Sequence, residues 1–475
     1  MNRRSKLLHV TNFVSALALF VSPFSCVSWG QSYPINSTNF GMQCGLEMST
    51  NCPNYMLPNH QAQPGSFRLW DSRTYWGTLQ PQYFTGCTDV QQVAGVNTYC
   101  WDNLDSWLDA IAADSSIKAV DFTFGGVPCQ LVPAGDCDGH GGSNGSNYPP
   151  TDLGQNGSPS FSDFVTNLVQ HCSKKGNCVK SIVKYYEMWN EANLTGEWAG
   201  TEADLEEMVF HVRNTIKSDV SGAFVLTPST SYYSNNYSDW LQTWLNDENT
   251  NGTLSDGVAI HIYLTNPSPD GTEQTPETQY TCYILSTSNS APAGCYNQTY
   301  PSFLYVKDNT TGWSSIPWMD TETNFDGNGG GYACNLGNAQ DCTGQIVRWQ
   351  LLQDAAGASS VAWYYWNTTI GNDGSNETAY YYMMQYLEGG KFTATCSNSG
   401  TIWTCPFTDT NGNSDLWVWT TDETPESYSP NPALYSNYWV VTGTGASNCS
   451  AIPSTGFTVT DAPYLLVPSS CSVQP

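Results

Sequence analysis

Between Phe40 and Trp366 one pattern keeps returning: a short apolar run that ends in polar or aromatic side chains, then a stretch with helical spacing. Phe40–Cys44, Phe67–Trp70, Ala119–Phe124, Ile182–Asn190, Ala223–Thr227, Gly257–Tyr263, Ile316–Glu322 and Ser360–Trp366 make eight such runs. Runs this short, apolar on both faces, read as buried parallel strands. The stretches between them carry helix signals. Thr201 to Asp204 resembles a capping box and is followed by Leu205, Met208, Val209, Val212 and Ile216 at helical spacing. Leu104, Trp107, Leu108 and Ile111 mark another helix, as do Ile346, Val347, Trp349, Leu351 and Leu352; Tyr380 to Leu387 forms the last, stopped by Gly389 and Gly390. Strand and helix in strict alternation predict a (β/α)8 TIM barrel with loop insertions. A doubly wound open sheet is the alternative, but its G-x-G-x-x-G turn after the first strand is missing.

Beyond Gly390 the helical spacing stops. Phe392–Cys396, Thr401–Cys405, Leu416–Thr420, Trp439–Thr442 and Tyr464–Val467 read as antiparallel strands of a small C-terminal β-sandwich. The expected division is a leader over 1–30, a catalytic barrel over 31–390 and an accessory sandwich over 391–475. The sandwich reads as a structural cap more readily than as a sugar-binding module.

The leader is a secretory signal peptide by its order: Arg3, Arg4 and Lys6, the apolar run Val14 to Val21, then small and polar residues up to Gly30. That run is too short for a permanent span, so no membrane association is expected after cleavage. The cysteines agree with an oxidising, extracellular destination. Of 17, Cys26 leaves with the leader, and no C-x-x-C pair suggests zinc or redox chemistry. Cys44 and Cys52, Cys87 and Cys100, Cys129 and Cys137, Cys172 and Cys178, Cys282 and Cys295, Cys334 and Cys342, and Cys396 and Cys405 lie close in sequence, although spacing alone does not fix their pairing. Asn-x-Ser/Thr sites such as Asn36, Asn144, Asn236, Asn251, Asn297 and Asn309 also point outward.

The net charge of −27 argues against nucleic acid, anionic lipid and strongly anionic polymers as partners. A neutral carbohydrate suits 18 Trp and 28 Tyr, whose flat faces pack on sugar rings, although many of them must be core. A monomer is expected.

In a barrel, chemistry sits at the C-terminal ends of the strands. The fourth run ends in Trp189-Asn190-Glu191 and the seventh in Asp320-Thr321-Glu322. Eightfold closure brings both ends to one cavity. Glycosidic cleavage needs one carboxyl group to protonate the leaving oxygen and a second carboxylate; a spacing of about 5–5.5 Å between them gives retention of configuration. Glu191 suits the acid/base and Glu322 the nucleophile. Asn190 is placed to hydrogen-bond a sugar hydroxyl. Asp320 shares strand parity with Glu322 and is its competitor, but Glu322 lies nearer the strand's end. Glu187, four residues before Glu191, is expected to face the barrel interior as a structural group. The bland alternative is a pair of strand ends whose polar groups merely cap loops.

These two motifs resemble the signatures of the clan A retaining glycoside hydrolases, among them families 5 and 39. The resemblance runs from about Arg68 to Trp366 and implies an acid/base at Glu191 and a nucleophile at Glu322. It further implies that Tyr263, in the His261-x-Tyr263 pattern, hydrogen-bonds the nucleophile, and that Arg68 holds the nucleophile ionised. Trp366 corresponds to an aromatic platform under the sugar. One departure is Ala192, where many relatives have Pro. The sandwich that accompanies family 39 barrels is similar to the β-rich tail.

No His-Glu-x-x-His, EF-hand loop or P-loop is present, and no cofactor or metal is expected. Asp136, Asp138 and His140 form a polar insertion that reads as a loop closed by Cys129 and Cys137. Two other functions remain open on the same residues: a transglycosylase, and a non-catalytic carbohydrate-binding or adhesion protein on a decayed barrel.

Overall fold

The computed structural model describes residues 34–44, 61–139, 145–153, 160–232, 234, 236–252, 255–266, 275–285, 295, 301–327, 339–370, 374–421, 424–446 and 449–468. The leader, Cys52, Cys334, His140, and the glycosylation signals at Asn144 and Asn297 lie outside these residues.

Eight strands build the barrel: β1 (Phe40–Gln43), β2 (Ser66–Leu69), β3 (Ala119–Thr123), β4 (Val183–Glu187), β5 (Phe224–Leu226 with Thr230–Ser231), β6 (Val258–His261), β7 (Trp318–Thr323) and β8 (Ala358–Trp363). Each falls within or beside a run expected from sequence. All neighbours pair in parallel, and β8 returns to β1 through Phe40↔Val361. Closure at the other seam uses both halves of β5. Phe224–Leu226 pairs with β4, Leu226 bridges Gly257, and Thr230–Ser231 pairs with β6.

Helices cover the outside. The capping box at Thr201 forms as expected, with Thr201 Oγ1 accepting from the Asp204 amide at 3.2 Å, and its helix runs Glu202–Asp219. The helix Gly374–Leu387 ends before Gly389, whose φ of 83° only glycine adopts readily. The same turn anchors the start of the described chain: Ile35 exchanges backbone hydrogen bonds of 2.7 Å with Gly389 and Gly390. Among the described residues, no helix is long and apolar enough to cross a membrane.

The C-terminal region is an antiparallel sheet centred on Ile402–Thr408, Ser414–Thr420, Tyr464–Val467 and Asn437–Thr442. One face presents Trp403, Trp417, Trp419 and Trp439 to the barrel's helices, in the same continuous core as the barrel. The other face packs Val418, Tyr464 and Leu466 with Val459, which lies on the two-stranded ribbon Glu426–Tyr428/Phe457–Val459. The sandwich is therefore asymmetric: a broad sheet carries one short ribbon.

Five of the close cysteine pairs are disulfides: Cys87–Cys100, Cys129–Cys137, Cys172–Cys178, Cys282–Cys295 and Cys396–Cys405. Cys44 and Cys342 are also disulfide-bonded.

Candidate active site

Arg68 organises the C-terminal mouth of the barrel. It is the penultimate residue of β2, in register with Gln43 on β1 and Asp121 on β3, and its side chain is 1 % exposed. A guanidinium has five N–H donors, and here every one is committed. Nε and Nη2 grip Glu187 at 3.2 and 2.8 Å, Nη1 donates to Gln43 at 2.8 Å and Glu322 at 2.5 Å, and Nη2 also donates to Asn190 at 2.8 Å. Burial works against the guanidinium's charge, but Glu187 and Glu322 outweigh it and raise the pKa. In turn the guanidinium holds the fully buried Glu187 carboxyl below its ordinary value against the cost of desolvation. Glu187 is thus the structural group expected, and it is the second anchor of Arg68.

Glu322 stands near the end of β7 and is 7 % exposed. Its Oε2 receives Arg68 and its Oε1 receives the Tyr263 hydroxyl. A register shift between Ile260 and His261 sets His261 opposite Glu322 rather than its predecessor, which re-aims β6 at the cavity. Burial pushes the Glu322 carboxyl up, opposed by Arg68. The direct ion pair favours the ionised form. Asp320, the competitor, points elsewhere: it is fully buried, accepts the Ile262 amide at 3.3 Å, and burial drives its pKa well up.

Glu191 lies beyond the end of β4 on a docked segment. The Asn190 amide donates to Phe124 O at 3.1 Å, and the Glu191 and Ala192 amides donate to Ser229 Oγ and O at 2.9 and 3.1 Å. The segment holds Glu191 at φ 38°, in the left-handed region that side chains disfavour. Strain of this kind, about 1–3 kcal/mol, persists where surrounding contacts over-determine it, and it clusters at functional sites. Burial lifts the carboxyl to about 7 against the pull of Ser231 and Arg68.

His261 connects the two halves. It is fully buried, with Nδ1 at 3.0 Å from Glu191 Oε1 and Nε2 at 3.1 Å from Thr321 Oγ1. Burial lowers its pKa to about 4, so the ring is neutral at working pH. One oxygen of Glu191, one of Glu322 and a ring nitrogen of His261 lie within 4.8 Å of one another. Such a trio has the donor set to hold a cation, but Arg68 already lies on Glu322 and supplies the positive charge there.

Two of the expected binding residues make other contacts. Asn190 is 2 % exposed, with its Oδ1 accepting from Arg68 and its Nδ2 donating to Glu197 at 3.1 Å, so it positions Arg68. Trp366 does not end a strand. β8 stops at Trp363, the chain turns at Tyr365 (φ 50°), and Trp366 opens a short helix. It is 1 % exposed and stands edge-on to Tyr380 with ring centroids 5.2 Å apart. As placed, it is core.

The strand-8 residue that does reach the site is Tyr364. Its hydroxyl donates to Asp71, which follows β2 directly after Trp70 and also receives the Tyr75 hydroxyl. Asp71, Tyr75, Tyr364 and Glu197 carry no motif that singles them out in the sequence. The rule that locates Glu191 and Glu322, a polar residue just past a strand's end, applies equally to Asp71 and is the signal that could find it.

No family model and no curated protein matches the chain. Solved structures do. It is similar to a family 39 glycoside hydrolase from Bacteroides cellulosilyticus WH2, with TM-score 0.60, 13 % identity, and coverage of 92 % of this chain and 83 % of that one. A glucosidase from Croceicoccus marinus aligns with TM-score 0.55 and 10 % identity over 93 % of this chain and 97 % of that one. The family 44 endoglucanase Cel44A from Clostridium thermocellum aligns with TM-score 0.55 and 13 % identity over 92 % and 97 %. At such identities the likeness shows the fold alone, a barrel followed by a C-terminal sheet, which the chain shares with these glycoside hydrolases.

Proposed function

We infer that this protein is a secreted retaining glycoside hydrolase that cleaves a neutral, β-linked poly- or oligosaccharide. The observation that carries the reading is the spacing of the two carboxyl groups, with oxygens of Glu191 and Glu322 within 4.8 Å. Retaining enzymes set the pair about 5–5.5 Å apart, whereas inverting ones need about 6.5–9.5 Å to admit a water between them. The environments also separate the two roles. Burial pushes both carboxyls up, but Glu322 is gripped by a guanidinium and a phenol hydroxyl, which favour a carboxylate, whereas Glu191 is lifted to about 7, which favours an acid.

Glu322 then attacks the anomeric carbon while Glu191 delivers its proton to the leaving oxygen. The glycosyl–Glu322 ester that results is opened by water, whose proton returns to Glu191. His261 keeps Glu191 oriented through both steps. A neutral imidazole suits this, because a cation there would hold Glu191 ionised. Arg68 keeps Glu322 in line for attack.

A secreted destination is supported by the leader-like first thirty residues and the disulfides. The neutral substrate is supported by the acidic net charge, and the likeness to a glucosidase and an endoglucanase supports a glycosidic substrate. The test is a screen on neutral plant and microbial polysaccharides with product sizing and anomeric analysis. Retained configuration in the first product is expected; inverted product, or binding without turnover over the whole panel, would refute it.

A further inference from the structure

Asp71 has the marks of a built binding position. It adopts φ 55° just past β2 and is 9 % exposed. Aspartate tolerates this conformation better than most residues, yet the strain still needs a cause. Its two carboxylate oxygens are held separately, Oδ1 by the Tyr75 hydroxyl and Oδ2 by the Tyr364 hydroxyl. These tyrosines come from opposite sides, one from the loop after β2 and one from the end of β8. Tyr364 is fixed by its amide, which donates to Thr323 O on β7 at 2.8 Å. The clamp therefore fixes the carboxylate's direction from two loops.

The clamp stands at the same C-terminal mouth as the reacting carboxyls: Asp71 lies three residues after Arg68, and Tyr364 is tied through its amide to Thr323, the residue after Glu322. The Asp71 charge acts on Glu191 and is acted on by Arg68 and Glu197, while the Tyr75 and Tyr364 hydroxyls lie in the field of Glu322. Among the described residues Asp71 makes no ion pair. A carboxylate has about four lone-pair sites, and the tyrosines use two. A nearly buried carboxylate with lone pairs to spare is costly unless a donor arrives. A sugar hydroxyl is such a donor. A sugar carboxylate is not: it would set a like charge against the acidic wall that Asp71 forms.

We propose that Asp71 reads the glycone, accepting a hydrogen bond from one ring hydroxyl of the sugar seated on Glu322, and that this acidic wall excludes uronic-acid sugars. The proposal rests on the glycosidase reading and deepens it. A purely structural strut between the two loops is the competing account.

The test compares wild type and Asp71→Asn on 4-nitrophenyl β-glucoside, xyloside, mannoside, galactoside and glucuronide, then on monodeoxy analogues of whichever neutral glycoside is cleaved. A hydrogen bond to a charged group predicts a loss in kcat/KM of about 10- to 150-fold for Asp71→Asn. One monodeoxy analogue should cost wild type a similar factor and cost the variant almost nothing more. A strut would instead lower all analogues equally, and that result, or an unchanged kcat/KM, overturns the proposal. If the variant does not fold, wild type still decides: a glucuronide cleaved as well as the neutral glycoside, or no sensitive hydroxyl, overturns it. If wild type cleaves nothing in this set or in the polysaccharide screen, the glycosidase reading itself fails, which is a distinct outcome.

Discussion

Replacing Glu191 by glutamine is expected to make the protein more stable above neutral pH while removing its hydrolytic activity. Burial lifts the Glu191 carboxyl from an ordinary 4.5 to about 7. A carboxyl whose folded-state value is raised binds its proton more tightly in the folded chain. Its favourable contribution is therefore complete below the unfolded value and is lost as pH rises towards the folded one. Between these limits the wild-type protein loses about 3 kcal/mol relative to a neutral isostere, at about 1.36 kcal/mol per tenfold change in proton affinity. Glutamine keeps the shape, can still meet His261, and never has to ionise. Urea unfolding of both proteins from pH 4 to pH 9 would measure this. Other buried carboxyls with raised values, such as Asp320 and Asp354, titrate in both proteins and cancel in the difference. The stability gap should be small near pH 4, widen through pH 5–7 and level off above. A gap independent of pH would show that Glu191 is not held protonated by its surroundings, and the acid/base assignment would lose its physical basis.

Glu191→Ala and Glu322→Ala are each expected to abolish hydrolysis, by about 10²–10⁴-fold for the general acid. Added azide should rescue them with products of opposite anomeric configuration; the same configuration from both would contradict the roles given. Tyr263→Phe removes a hydroxyl that donates to the Glu322 carboxylate, so the Glu322 pKa should rise and the acidic limb of the kcat/KM profile should move to higher pH. A limb that stays or moves down would count against it. Arg68→Lys keeps the charge but has three donors for five hydrogen bonds, leaving at least two charge-assisted bonds unmade. A loss of about 3 kcal/mol in urea unfolding is expected, and an unchanged midpoint would mean the guanidinium network is not what holds the barrel mouth.

The barrel is legible because its strands obey a strict local rule. A strand buried on both faces must be apolar, and it must turn polar where it emerges. That rule locates β4 and β7, and with them Glu187, Glu191 and Glu322. It fails by a few residues at β8, where aromatics run on past the strand as Trp363, Tyr364, Tyr365 and Trp366, and hydrophobicity alone does not reveal the left-handed turn at Tyr365. Trp366 consequently falls where the resemblance implies a sugar platform, although Tyr380 stands against its ring. The register shift before His261 is equally invisible, since a bulge changes pairing and leaves composition alone. Asn190 hides its structural role for another reason. Its partner Arg68 lies 122 residues away, and only tertiary closure brings the two together. The Asp71 clamp joins residues 293 apart, beyond the reach of any local signal.

The contacts between sheet and barrel bear on how such a chain tolerates rearrangement. Trp419 Nε1 donates to the buried Glu277 at 2.7 Å, and Arg348, on a barrel helix, donates to Thr420 O at 3.0 Å. Tyr280 stands edge-on to Trp403 at 6.0 Å. Cutting after Gly390 would strip three partners at once and leave an acid, a guanidinium and several indole-sized cavities facing water. The C-terminal sheet is consequently no exchangeable appendage: domain shuffling at this junction would have to carry the sheet along with the barrel, and shortened or fused versions divided there should precipitate.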